Sequence, residues 1–348
     1  MDMYSTAVLS RVVSLLPPPS TFLLDQFFPM ELRSDKAEIF FDVDKSKPRI
    51  TPMVHPTMAG KVVADRGFQA MSFKPAYAKD KRVLMPDAPI RRRAGEQIGG
   101  EMKPMARRQA QLNDSIDDQL DMLTRRETVM GSEALRTGRV TVTGENYAAV
   151  VVDFLRDAGL TVALSGGARW GEAGVLPLDS LESWAETIQG LSGAAVDTVV
   201  MDPKAWGIFR KDADVKERLN KLYSGQRGSL DIGPVARGPG NKRARYHGDL
   251  GDFDFWSYQD TYIDENGATQ KMLPDYTVLM GLGGTYKEGI QGTRCYGTIM
   301  DEEAGYKADR YHIKSWVDKD PAVRYLLLQS APLVVPFRPN ASFCATVR

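Results

Sequence analysis

Three consecutive acids, Asp301-Glu302-Glu303, are where acid–base chemistry would be sought first, since a carboxylate pair can give and take protons. Consecutive side chains point in alternating directions, and no partner base is indicated. The segment reads as a solvated loop. His55, His247 and His312 offer proton transfer or metal ligation, but none are spaced for joint ligation, so each reads as a surface or satisfied core histidine. Asp114, Asp117, Asp118 and Asp121 crowd one helical stretch. A divalent cation needs oxygens converging from several directions, which a water-facing row does not supply.

Nucleophilic and phosphate chemistry fare no better. Gly190-Leu191-Ser192-Gly193 fails the spacing of a nucleophile elbow, and the chain has no Gly-x-x-x-x-Gly-Lys-Ser/Thr loop. Gly281-Leu282-Gly283-Gly284 lacks the later glycine of a dinucleotide turn, where Tyr286 stands instead, and reads as an ordinary turn. Cys295 and Cys344 are the only cysteines and read as two structural thiols. The expectation is a protein with no catalytic, metal-binding or cofactor-binding residue, and no cofactor.

Lys74, Lys79, Lys81 and Arg82 lie among Phe73, Tyr77, Val83 and Leu84, a mixture that can bind nucleic acid. A solvated hairpin loop is the simpler reading of such a charge run. The whole chain carries 45 basic and 45 acidic residues, so it lacks the basic excess of a dedicated nucleic-acid reader. With 43% hydrophobic residues in 348, it can build two domains of ordinary size. Asp2 and Arg11 disqualify the start as a secretory signal, and no run of about 18 apolar residues could span a membrane. A soluble chain made in the cytoplasm is expected.

The elements follow from periodicity. Leu112, Ile116, Leu120, Leu123, Met130 and Ala134 share one face of a helix over 105–137, with the aspartates and Arg125 opposite and Glu127 as a misfit inside the apolar stripe. Pro104 suits its start and Gly138 its stop. At about 1.5 Å per residue it would reach roughly 45 Å, more than a compact domain needs. The apolar start (4–16 at helical spacing, Pro17-Pro18-Pro19, then Phe22 to Met30) could be core or an arm lying on a neighbour. Strands are expected at 37–43, around Val62 and Val63, at 139–143, 147–154, 196–201 and 313–317, and as one run at 325–335. A helix at 180–191 would take Ser180 as its cap. Another would open at Pro203 and continue through Val215 to Tyr223. Residues 165–174 and 224–245 are glycine-rich loops, the second with Lys242, Arg243 and Arg245. Asn266-Gly267 would turn a hairpin between 253–263 and 271–280. The class is α+β with antiparallel sheets and few βαβ units.

Several blocks share an order and spacing with one known family: 202–210 (Asp202, Pro203, Trp206), 273–281 (Pro274, Asp275) and 315–336 (Trp316, Asp320, Pro321, Gln329, Pro332). Residues 1–7, 60–67, 139–145 and 295–301 extend the likeness, while 14–34 and 224–245 depart from it. Over more than 300 residues the chain resembles the lambda-like major capsid proteins of tailed bacteriophages. The resemblance implies the Hong Kong 97-type phage capsid fold. Its parts would be an N-terminal arm (1–52), an extended loop (53–100), a peripheral domain with a long spine helix (101–160 and 305–348) and an axial domain (161–304). It implies a structural subunit that self-assembles into pentamers and hexamers, forming an icosahedral shell around double-stranded DNA with which contact is weak. Partners would be further copies, a scaffold, a portal and a decoration protein, with no membrane; assembly would take place in the host bacterial cytoplasm and the product would be the virion capsid. One sequence making both rings needs hinges, for which Gly60, Gly67, Gly99, Gly100 and Gly138 are candidates. The rivals are a cellular nanocompartment shell, a cytosolic hydrolase using Asp301 to Glu303 or a histidine, and a nucleic-acid binder using the basic stretches.

Overall fold

A computed structural model of the chain describes residues 21–36, 38–44, 50–59, 63, 68–87, 90, 103–144, 147–217, 243–283, 291–320 and 323–348. The expected helix at 4–16, Gly60, Gly67, Gly99, Gly100, Pro321 and most of loop 224–245 lie outside these residues.

The chain opens with helix α1 (Phe22–Phe27), followed by strands β1 (Met30–Arg33), β2 (Ile39–Asp44), β3 (Phe68–Phe73) and β4 (Ala78–Leu84). The long helix α2 (Pro104–Thr137) leads into the hairpin β5 (Arg139–Gly144) and β6 (Tyr147–Asp153). After β7 (Thr161–Ala163) come α3 (Pro177–Ser192), β8 (Thr198–Met201), α4 (Pro203–Phe209), β9 (Ala244–Leu250) and β10 (Phe253–Tyr258). The short hairpin β11 (Thr261–Ile263) and β12 (Thr269–Lys271) precedes β13 (Thr277–Gly281) and β14 (Gly292–Tyr296). The chain ends through β15 (His312–Val317), β16 (Arg324–Ser330), β17 (Pro332–Pro336) and β18 (Phe343–Thr346).

Helix α2 is built as its sequence demands. Pro104 occupies the first turn, where its missing N–H costs nothing, and Gly138 ends the helix at φ +71°, donating its N–H to the Ala134 carbonyl at 2.9 Å. Its 34 residues span about 51 Å. Two cores share its length. The N-terminal half lays Leu112, Ile116 and Leu123 on the sheet β15-β16-β4, against Leu84, Ile313, Leu326 and Leu328. The C-terminal half lays Met130, Ala134 and Leu135 on a second core with Val140, Val152 and Leu333. Helix α1 belongs to that second core: Phe22, Leu23, Leu24, Phe27 and Phe28 are at most 3% exposed. It crosses α2 at Gly131, where a Cβ would sit 3.1 Å from Leu24 Cδ2. Residues 22–28 therefore take the core reading of the apolar start.

The third core belongs to a six-stranded sheet ordered β7-β18-β13-β8-β10-β9, covered by Leu181, Trp184 and Ile188 of α3 and Phe209 of α4. Four of the six described sheets are antiparallel as expected, but two are mixed. β8 runs parallel to β10, β18 to β7, and β1 to β14. Residues 305–348, expected together in one domain, divide between sheets: β15 and β16 lie beside β4, whereas β18 lies between β7 and β13. β4, expected within the extended loop, pairs along its whole length with β16.

Other local expectations need correcting. The run 325–335 is two strands in different sheets, separated at Ala331. Helix α3 starts at Pro177, a turn before Ser180, whose hydroxyl donates back to the Leu176 carbonyl at 3.1 Å instead of capping. Helix α4 stops at Phe209, and a new turn at 213–217 starts from Asp212, whose carboxylate accepts the Asp214 and Val215 N–H groups. The Asn266-Gly267 hairpin is real but joins only β11 and β12; the longer runs leave it for the six-stranded sheet, where β8 separates β10 from β13. Val63 lies in no strand, and loop 224–245 gives way to strand at Ala244.

Candidate functional site

Two of the sequence blocks converge at one corner of the six-stranded sheet. Asp202 ends β8 and caps α4: its Oδ2 accepts the Lys204 N–H at 2.9 Å and the Tyr276 N–H at 3.2 Å, and its own N–H donates to the Thr277 carbonyl at 2.9 Å. The cap thus also braces the turn 274–276, where Tyr276 is held at φ +60°, a region disfavoured for residues with a Cβ. Pro203 occupies the first turn of α4, while Pro274 is exposed. Lys204 closes the corner with a 2.8 Å ion pair to Asp275, which Lys271 also contacts. The two lysines hold the Asp275 carboxyl below the ordinary carboxylate range.

Trp206 explains His247. The two rings stack with centroids 4.0 Å apart and planes 16° from parallel, and His247 Nε2 lies 2.7 Å from Ser257 Oγ. Burial, with Arg245 and Arg210 nearby, lowers the imidazole to about 4. This is a satisfied core histidine, as expected.

The third block lies elsewhere. In the sheet β15-β16-β4, the face turned away from α2 presents the cross-strand rows Lys79–Gln329–His312, Lys81–Leu327–Lys314 and Val83–Tyr325–Trp316. Lys81 stands 3.9 Å over the Tyr325 ring and 5.4 Å from that of Trp316, whose own ring is 5.5 Å from Tyr325. The basic–aromatic residues Lys79 and Lys81 thus decorate a strand rather than a loop, while Arg82 points to the other face and pairs with Asp80 and Asp118. Pro332 is buried opposite Tyr296 at the start of β17, and Asp320 is exposed.

In the acidic triplet Glu302 and Glu303 are exposed in a turn, as expected, but Asp301 is tied down. Asp301 Oδ2 accepts Gln329 Nε2 at 2.7 Å and the Lys314 ammonium, and Oδ1 accepts the Glu303 N–H at 3.0 Å. Burial pushes this carboxyl up, but these hydrogen bonds outweigh it and bring it down to about 2. Such an acid stays ionised and already bonded at neutral pH, a poor proton carrier. His312, expected to stand alone, has a ligand atom within 4.8 Å of those of Asp301 and Glu303. The two cysteines are buried, free and pushed up, Cys295 to about 12 and Cys344 to about 11, so both are thiols rather than nucleophilic thiolates.

Sequence reasoning found Glu127 only as a misfit. It is fully buried and meets Arg310, whose Nη2 lies 2.9 Å from Oε2. The misfit itself was the signal, because an acid in an apolar stripe demands a buried cation; the partner's position was not readable, since it lies 183 residues away. Every constellation thus fastens one element to another.

The whole chain also has relatives. The family model for phage major capsid protein E matches residues 5–347. The major capsid protein of Escherichia phage N15 is 30% identical over 98% of both chains, and that of Escherichia phage lambda is 29% identical over the same share. A solved structure from an E. coli CFT073 prophage superposes over the full length of both chains with a TM-score of 0.73 at 20% identity, and a phage-related protein of Bordetella bronchiseptica RB50 with 0.57 at 12%. These set the fold as the α+β capsid fold. With a match that runs from its fifth residue to its last but one, the chain belongs to the phage major capsid protein E family, which is made of structural proteins of the phage capsid rather than enzymes.

Proposed function

We propose that this major capsid protein assembles into pentamers and hexamers that close into an icosahedral head around double-stranded DNA. The observation that carries the reading is the family match over residues 5–347. Contacts too weak to hold a pair together sum over a closed shell.

In this reading 1–52 is the arm, 53–100 the extended loop, 101–160 and 305–348 the peripheral domain and 161–304 the axial domain, with β18 contributed to the axial sheet. Gly60, Gly67 and Gly138 serve as hinges, and the motif residues Asp202, Pro203, Trp206, Pro274, Asp275, Trp316, Asp320, Pro321, Gln329 and Pro332 serve as structural fasteners. A neutral chain touches packaged DNA weakly. The partners are further copies, a scaffold, a portal and a decoration protein, met in the host bacterial cytoplasm before the head is complete.

Electron microscopy of the purified protein, expressed alone and with its neighbouring genes, tests this. Closed shells or rings of five and six are expected. A monodisperse monomer at high concentration under both conditions would refute it.

A further inference from the structure

The loop between β14 and β15 is folded tightly onto the sheet face that bears His312. A bridge between Thr298 and Ala308 closes its neck, Ile299 donates to the Lys307 carbonyl at 3.1 Å, and Gly305 and Tyr306 turn it through positive φ. At its tip, Asp301 and Glu303 come to His312, with one ligand atom from each within 4.8 Å of the others. The residues differ in their satisfaction. Asp301 is bonded at both oxygens, and its carboxylate is oriented by Gln329, itself 1% exposed. The Glu303 carboxylate is exposed. The buried Nε2 atom of His312 has no hydrogen-bond partner. A buried polar atom left unpaired is uncommon and costly, and a ligand is one of the things that resolves it.

We propose that Asp301, Glu303 and His312 form a divalent transition-metal site of the zinc class, which clamps the loop 299–308 to β15. The donor set fits: one imidazole nitrogen with two carboxylate oxygens suits zinc and its first-row neighbours, and leaves a fourth position for water. Magnesium and calcium, which take oxygen alone, do not suit it. Gln329 is placed as an outer partner that fixes the ligating carboxylate. Lys314 already contacts Asp301 Oδ2. The cation therefore approaches through Oδ1, and the lysine charge keeps the affinity moderate.

Zinc chloride titrated calorimetrically into the full unassembled chain tests the site, with cobalt absorption as a second readout. One zinc per chain is expected, with a rise in melting temperature as zinc is added. Glu303→Gln and His312→Asn should each weaken binding about tenfold or more. Glu303 is exposed, so its substitution leaves folding intact and any loss is a loss of ligation. The proposal fails if the wild-type chain takes up no zinc at millimolar concentration. It fails equally if both variants bind as tightly as wild type, which would assign the uptake to His55 or another surface group.

Discussion

Arg310 grips Glu127 at two points, Nη2 at 2.9 Å from Oε2 and Nε at 3.4 Å from Oε1, while Nη2 also donates to Thr124 Oγ1 at 3.1 Å. The pair fastens the middle of α2 to the chain entering β15. Burial pushes the Glu127 carboxyl up, and Arg310 only partly offsets this. Removing the arginine alone strands a buried charge. Arg310→Met should cost about 3–5 kcal/mol in urea denaturation of the unassembled chain, whereas adding Glu127→Leu should recover most of it. Equal losses in the single and double variants would show that the two residues are not coupled.

Asp202 serves two elements with one carboxylate. Asp202 is 3% exposed, and Asp202→Ala strips the cap from α4 and leaves the Tyr276 N–H without its acceptor. A loss of about 2 kcal/mol is expected, and Asp202→Asn, which keeps an acceptor oxygen, should lose less than half of that. Unfolding midpoints in urea measure both. Equal losses would locate the effect in charge rather than in capping.

What was legible depended on how local the cause was. The bounds of α2 could be read because Pro104 and Gly138 act on their own turns, and its one apolar face followed from the 3.6-residue period of Leu112, Ile116 and Leu123; that this face serves two cores did not. Ser180 misled because a hydroxyl that suits a cap also satisfies itself against a carbonyl one turn back. The place of β18 beside β7 was not readable, since Cys344 and Thr161 pair across about half of the chain and no short-range pattern reports it. Asp301 and His312 failed in the same way: their meeting depends on the neck bridge at Thr298 and Ala308. The capsid family was legible because order over 300 residues survives where single contacts do not.

Gly138 lies at a tight corner. Its φ of +71° disfavours any Cβ, and a Cβ there would sit 2.6 Å from Arg156 Cβ. Arg156 cannot move away freely, because its guanidinium bonds the Leu135 and Arg136 carbonyls at the end of α2. Gly138→Ala should cost about 2–3 kcal/mol, the left-handed backbone and the overlap together. Thermal unfolding of the unassembled chain checks it. A neutral result would mean that the corner relaxes easily, and would strengthen its assignment as a hinge.

His247 makes acid stability predictable. Its imidazole falls from the ordinary 6.5 to about 4 on folding, chiefly through burial, with Arg245 and Arg210 adding repulsion. Between these values the unfolded chain binds more protons than the folded one, so stability rises with pH across that window. Acidification from 6.5 to 4 should therefore cost about 2 kcal/mol after allowance for partial solvent screening. Below 4 both states are protonated, and this contribution flattens. His247→Asn removes the titration while keeping a polar partner for Ser257. Urea midpoints of the unassembled chain, measured every half unit of pH, should show a shallower slope for the variant between 4 and 6.5. Parallel slopes would mean that His247 is protonated in the folded chain despite its stack on Trp206.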